Sequence, residues 1–170
     1  MIEIRDATRD DAAAIATINA AAWRSGYRGI VDDSILDALP AAQWAREIAG
    51  HIGGVCGDSF SRVATEGDDV VGSCYVAAPG REEPEDSDVA ELVAIYVHPD
   101  RWRRGVGSGL ISDAIAAVAG RGYRELVLWT FERNSAARSF YRRHGFEADG
   151  GSGRFMPGDV PTISMRRPLN

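Results

Sequence analysis

Hydrophobic and polar positions alternate first at the N-terminus, where Ile2 and Ile4 are separated by Glu3 and Arg5, the period of a half-buried strand. Thr8, Asp10 and Asp11 then supply helix-start residues ahead of an Ala-rich run. Ile15, Ile18 and Ala22 share one face of the helix this predicts, and Trp23 and Tyr27 continue that spacing to its end. The stretch from Gly29 to Gly54 is less regular. It reads as a second helical region starting near Pro40, with Trp44, Ile48 and Ile52 one turn apart. Ser61 to Thr65 and Val70 to Ala77 are β-rich runs separated by Glu66, Gly67, Asp68 and Asp69, which predicts an antiparallel hairpin closed by Pro79 and Gly80. Arg81 to Asp88 carries five carboxylates against one Arg, a local charge of 1 − 5 = −4, and reads as a solvated loop.

Val89 to Val97 is nearly continuous apolar sequence apart from Glu91, the pattern of a strand covered on both faces, and Pro99 stops it. Leu110, Ile111, Ala114, Ile115 and Val118 mark an amphipathic helix ending at Gly120 or Gly122, and Leu126 to Trp129 form the next buried strand. Strand, helix and strand at this spacing make a βαβ unit, so the two strands are expected to run parallel through a right-handed crossover. Asn134 is placed to cap a last helix through His144, with Gly145 as its C′ residue. Phe146 and Ile163 to Met165 add terminal strands around a Gly-rich loop. The whole is an α/β sheet of mixed direction, with no internal repeat.

At 170 residues the chain suits a single domain, 1–170, able to bury about 70% of its unfolded surface. Lys and Arg number 19 against 25 Asp and Glu, a net −6, which argues against a broad nucleic-acid or anionic-membrane footprint. No apolar run approaches the ~20 residues that span a bilayer, and Met1 to Asp10 hold no signal-peptide core, so a soluble cytoplasmic protein is expected. Cys56 and Cys74 lie 18 positions apart with no CxxC, and read as reduced structural thiols; no metal is expected.

The chemistry concentrates in Arg101, Trp102, Arg103, Arg104, Gly105, Val106, Gly107, Ser108 and Gly109, between a buried strand and a helix start. Glycines let the backbone approach a ligand, free amides at a helix N-terminus attract an anion, and three arginines gather positive charge in a net-negative chain. The composition suits a diphosphate. A Walker loop is excluded because it needs GK followed by Ser or Thr, and a dinucleotide fingerprint is excluded because position 110 is Leu where a third Gly belongs.

This segment resembles the central signature of the GNAT superfamily of acyl-CoA N-acyltransferases, a strand followed by Gln or Arg, two residues, Gly, one residue, and Gly or Ala. The pattern fits with Trp102 in its first position and Arg103, Arg104, Gly105, Val106 and Gly107 after it, or literally from Arg104 to Gly109. About 30 residues on, Asn134, Ala137, Phe140, Tyr141, Gly145 and Phe146 resemble the family's second element, and Asn134 and Tyr141 are seven apart and so share a helix face. The resemblance implies one α/β (α+β) domain with a mixed, mostly antiparallel sheet, one central parallel βαβ pair and helices on both faces. It implies acetyl-CoA as co-substrate. The amides of Arg103, Arg104, Gly105, Val106, Gly107 and Ser108 would hold the pyrophosphate, the backbone of Ile95, Tyr96 and Val97 the pantetheine arm, and Asn134, Ala137 and Tyr141 further contacts.

Attack of an amine on a thioester develops an oxyanion and expels a thiolate, so donors near the carbonyl and an acid near sulfur are needed. By resemblance Tyr141 is the acid, the Val97 amide a donor, and Glu91 the base acting through water on an amine that is mostly protonated at pH 7. Direct transfer needs no Cys74 nucleophile. His98 reads as a turn residue, and His51 and His144 have no evident partner. The acceptor is expected to be a small-molecule or peptide amine, with no nucleic-acid or membrane partner; the family often dimerises, but the sequence marks no interface. Trp23, Tyr27, Tyr75 and Tyr96 suit either an aromatic acceptor site or plain core. The acidic loop suits either a cationic amine or solubility alone. A catalytically silent acyl-CoA-binding module is the alternative.

Overall fold

The computed structural model describes residues 1–54, 57–78, 88–155 and 158–169. One sheet of seven strands organises it: β1 (Ile2–Asp6), β2 (Phe60–Glu66), β3 (Asp69–Ala77), β4 (Val89–Val97), β5 (Glu125–Phe131), β6 (Glu147–Phe155) and β7 (Val160–Pro168). Their spatial order is β1-β2-β3-β4-β5-β7-β6. Only β4 and β5 run parallel, joined through helix α4 (Val106–Gly120); every other neighbour pair is antiparallel. The predicted hairpin, crossover and terminal strands are all present. Pro79, Gly80, Cys56 and the acidic loop up to position 87 lie outside the described residues.

Sheet faces follow from the alternation of side chains. Ala90, Leu92, Ile95 and Val97 of β4 pack with Leu110, Ile111, Ala114 and Val118 of α4, four residues that are fully buried. Tyr96 and Glu91 therefore point to the opposite face, where α1 (Ala12–Gly26), α2 (Asp33–Asp37) and α3 (Ala41–Gly53) follow one another. The N-terminus of α1 is anchored by Asp11, whose carboxyl is drawn down to about 2, first by the Arg5 guanidinium and then by Thr8.

Three expectations change. The first is at Trp129, the last residue of the run that reads as a buried strand, which stands exposed on β5. β4 is not covered throughout: Val76 pairs with Leu92 and Tyr75 with Ala94, so Val93 is the extra residue of a bulge and stands 48% exposed. The Gly-rich run after Phe146 is not a loop either. Gly150, Gly151 and Gly153 lie inside β6, which pairs with β7 across a register shift between Ala148 and Ser152; such an irregularity is what a glycine in a strand tolerates.

Candidate active site

Parallel pairing of β4 with β5 runs from Val89 and Glu125 to Glu91 and Val127 and stops there, although β4 continues to Val97 and β5 to Phe131. The strands splay, and one edge of β4 is left open. His98 donates its N–H to the Val71 carbonyl at 2.9 Å, so the main-chain groups of Tyr96 also face β3, while those of Ile95 and Val97 face the splay. Trp102 turns back over this edge and donates its indole N–H to the Val97 carbonyl at 2.8 Å. The N–H groups of Ile95 and Val97 remain as donors on that edge.

The basic loop meets the same gap. Its last residue, Gly105, caps α4 with φ +84°, and Arg103 holds φ +60°, a left-handed conformation that costs a non-glycine residue about 1–2 kcal/mol. Such strain concentrates at functional sites. The first helical bond of α4 runs from Gly109 N to the Gly105 carbonyl at 2.9 Å, so the amides of Val106, Gly107 and Ser108 lie ahead of the ladder, at the positive end of the helix dipole. Across the gap stands α5 (Ser135–Arg143), capped by Asn134, whose Oδ1 accepts from Ala137 N at 3.1 Å.

Between them lies a cavity of about 490 Å³. Ile95, Tyr96, Val97, Arg103, Gly105, Gly107, Ser108, Asn134, Ala137 and Tyr141 line it; Arg104 is exposed outside it, and Val106 turns its side chain into the core. Arg101 lines it too, but donates to Glu66 at 2.7 Å, so one of the three loop arginines is partly neutralised. Arg143 of α5 replaces that charge. Nothing in the sequence pattern singled out Arg143, although it follows Phe140 by three positions and so shares its helix face.

Tyr141 packs its ring against Phe140 and Phe146, with centroids 5.4 and 6.0 Å away. Burial, with the nearby Tyr96 phenol, pushes its hydroxyl well above the ordinary tyrosine value, so it stays protonated throughout the physiological range. The Tyr27 and Tyr96 hydroxyls approach to 3.5 Å, and burial raises both as well. Three neutral phenols thus meet at one end of the cavity. His144 does have a partner: its Nε2 lies 3.2 Å from Ser108 Oγ, and burial, then Arg143 and Arg167, lower its pKa, so it adds no charge there. His51 stacks on Tyr75 at 5.8 Å.

Tyr96 also lines a second cavity, of about 370 Å³, on the α1 and α3 side of the sheet. Glu91 lies on that face, at the last paired position before the splay, but lines neither cavity. Its carboxyl is raised by burial alone. Cys74 is a free buried thiol pushed up to about 12 by burial, unreactive as a nucleophile near neutral pH. Among the described residues no cluster of His, Cys, Asp or Glu is placed to hold a metal ion, and no helix is long and apolar enough to cross a membrane.

Residues 23–146 match the acetyltransferase (GNAT) family. The chain belongs to that family. As a GNAT protein it is an acyltransferase by class, and two relatives match it over most of its length. It is 28% identical to a probable N-acetyltransferase of Mycobacterium tuberculosis over 97% of this chain and 92% of that one. An uncharacterized N-acetyltransferase of Bacillus subtilis is 26% identical over 86% and 81%. In fold it superposes on the PaiA N-acetyltransferase of Thermoplasma acidophilum, solved with coenzyme A, at a TM-score of 0.78, 20% identity and 99% coverage of both chains.

The GNAT loop separates two glycines by their physics. A Cβ at Gly105 meets nothing within 4 Å, so Gly105→Ala is penalised by its positive φ alone, an expected loss of about 1–2 kcal/mol. At Gly107 a Cβ would rest 3.5 Å from Phe140, an ordinary contact, and Gly107→Ala is expected to be neutral or to gain up to about 1 kcal/mol as an alanine in a helix. Thermal denaturation of the two variants checks this; equal losses in both contradict it.

Proposed function

We propose that the protein transfers an acetyl group from acetyl-CoA to a primary amine by direct attack in a ternary complex. The observation that carries this reading is the open edge of β4, flanked on one side by the free amides at the start of α4 and on the other by Tyr141. The residues fit coenzyme A. Helix-start amides with Arg103 and Arg143 suit a pyrophosphate, and the outward main chain of Ile95 and Val97 suits an amide-bearing arm that adds as a strand. Asn134 spends its Oδ1 on the helix cap, leaving its amide N–H₂ for the ligand.

When bound, acetyl-CoA supplies an electrophilic thioester carbonyl with a thiolate as leaving group. The Val97 N–H is the donor for charge on that carbonyl oxygen. Tyr141 donates its proton toward sulfur as the carbon–sulfur bond breaks and recovers one from the acceptor nitrogen, so the single proton that moves from nitrogen to sulfur is balanced. A phenol held above its ordinary value suits this shuttle, since it does not ionise on its own. Glu91, on the face of the sheet that carries α1 and α3, takes the first proton from the arriving ammonium through water.

Because burial raises Glu91, its base form is lost as pH falls at a higher pH than for an ordinary glutamate of about 4.3. Wild-type kcat/KM is expected to rise with pH through that raised value, and Glu91→Gln to lower kcat by about 100-fold and flatten the acid limb. A Glu91→Gln profile identical to wild type would remove the assignment.

The reading itself is tested by thermal shift. Acetyl-CoA at about 100 times its Kd is expected to raise Tm by about 5–10 °C, with no shift from ATP or NAD. A shift from either nucleotide without one from acetyl-CoA would sink it.

A further inference from the structure

Five aromatic residues from five different elements close the second cavity: Trp23 of α1, Trp44 of α3, Tyr75 of β3, Tyr96 of β4 and Phe155 of β6. Trp23 is the hub. Its ring centroid lies 5.7 Å from Trp44 and 5.4 Å from Phe155, each tilted by 57°, so neither pair is stacked face to face. The volume, about 370 Å³, falls at the small end of ligand sites, which run from about 300 to 1,000 Å³. The bulge at Val93 helps form it, because the extra residue turns β4 away from its neighbour where the wall is needed.

Charge narrows the occupant. Among the described lining residues there is no Arg or Lys, and the one carboxylate is Glu47, exposed at the rim and held by Gln43 at 2.7 Å. An acceptor bearing its own carboxylate or phosphate would bury an anion opposite Glu47 with no guanidinium or ammonium to pair it, the His51 imidazole of the lining being stacked flat on Tyr75. A cation meets the reverse situation, ring faces on several sides and a carboxylate at the entrance. Asn19, also in the wall, keeps its Oδ1 buried with no hydrogen-bond partner. Tyr96 is common to both cavities, so an amine at its end of this one faces the Tyr141 end of the other.

Resting on the acetyl-transfer reading above, we infer that this cavity is the acceptor site and takes a primary amine carried on a flat apolar body, without a carboxylate or phosphate. The body lies among Trp23, Trp44 and Phe155, and the amine reaches Tyr96. Amino acids and phosphorylated amines are rejected by the unpaired anion they bring, and a slender polyamine by the ring faces it leaves uncovered.

Tryptophan fluorescence titration of the full chain without coenzyme A tests this with three probes: 2-phenylethylamine, phenylalanine and spermidine. Phenylethylamine is expected to bind at least about tenfold more tightly than phenylalanine, which matches it but for the carboxylate, and more tightly than spermidine. Trp44→Leu is expected to weaken it about fivefold, with CoA affinity by calorimetry unchanged. Glu47→Gln, at an exposed position, is expected to narrow the gap between phenylethylamine and phenylalanine about threefold. Equal binding of phenylalanine, tighter binding of spermidine, or indifference to both substitutions overturns the assignment. Selective phenylethylamine binding by a protein that fails to bind coenzyme A would instead overturn acetyl transfer and leave the amine pocket standing.

Discussion

Tyr141→Phe is expected to lose about 100-fold in kcat while its KM for acetyl-CoA and its melting temperature stay where they were. The substitution removes one oxygen and leaves the ring against Phe140 and Phe146, so packing is preserved and only the proposed proton donor is removed. The pH profile sharpens the case. An acid must be protonated to act, and burial holds this phenol above the ordinary tyrosine value of about 10, so no alkaline limb from Tyr141 is expected below that pH in the wild type. Full activity in the variant would remove the shuttle from Tyr141 without touching the cofactor site.

The second large effect lies five residues on. Phe146 is fully buried in the main core, its N–H bonds to the Tyr141 carbonyl at 3.1 Å, and its ring backs the Tyr141 ring at 6.0 Å. Phe146→Ala opens a cavity in well-packed surroundings, which costs about 3–5 kcal/mol, a large share of the 5–15 kcal/mol that holds a typical domain. A fall in Tm of about 10 °C or more is expected, with a loss of activity that exceeds the unfolded fraction because Tyr141 loses its support. Phe146→Leu, which keeps most of the volume, is expected to cost under about 1.5 kcal/mol. A Phe146→Ala protein as stable as wild type would show that the ring does not brace the site.

The parts of the site that could be read from the sequence are the local ones. Glycine and arginine between a strand and a helix suit an anion by local chemistry, and Asn134 with Tyr141 share a face by helical geometry alone. The hidden parts depend on pairings between distant segments. Arg101 is drawn to Glu66, 35 positions earlier, because β2 brings that carboxylate alongside, and no local pattern announces it. The bulge at Val93 is decided by how β3 and β4 register, so an apolar run read as a covered strand instead turns one residue out. Trp102 folding back onto Val97 is likewise a tertiary contact. The aromatic residues of α1 and the central strands were legible individually, but core and pocket differ only in whether five elements leave a space between them.

The most direct test of acetyl transfer by direct attack is the release of CoA followed against both substrates. With acetyl-CoA and 2-phenylethylamine varied together, release is expected only when the amine is present, with intersecting initial-velocity lines and one acetylated amine for each CoA. A stoichiometric burst of CoA before any amine is added, with parallel lines, would mean an acyl-enzyme and would contradict direct attack; acetyl-CoA binding with no amine-dependent release across primary amines of every class would mean a binding module and no transferase.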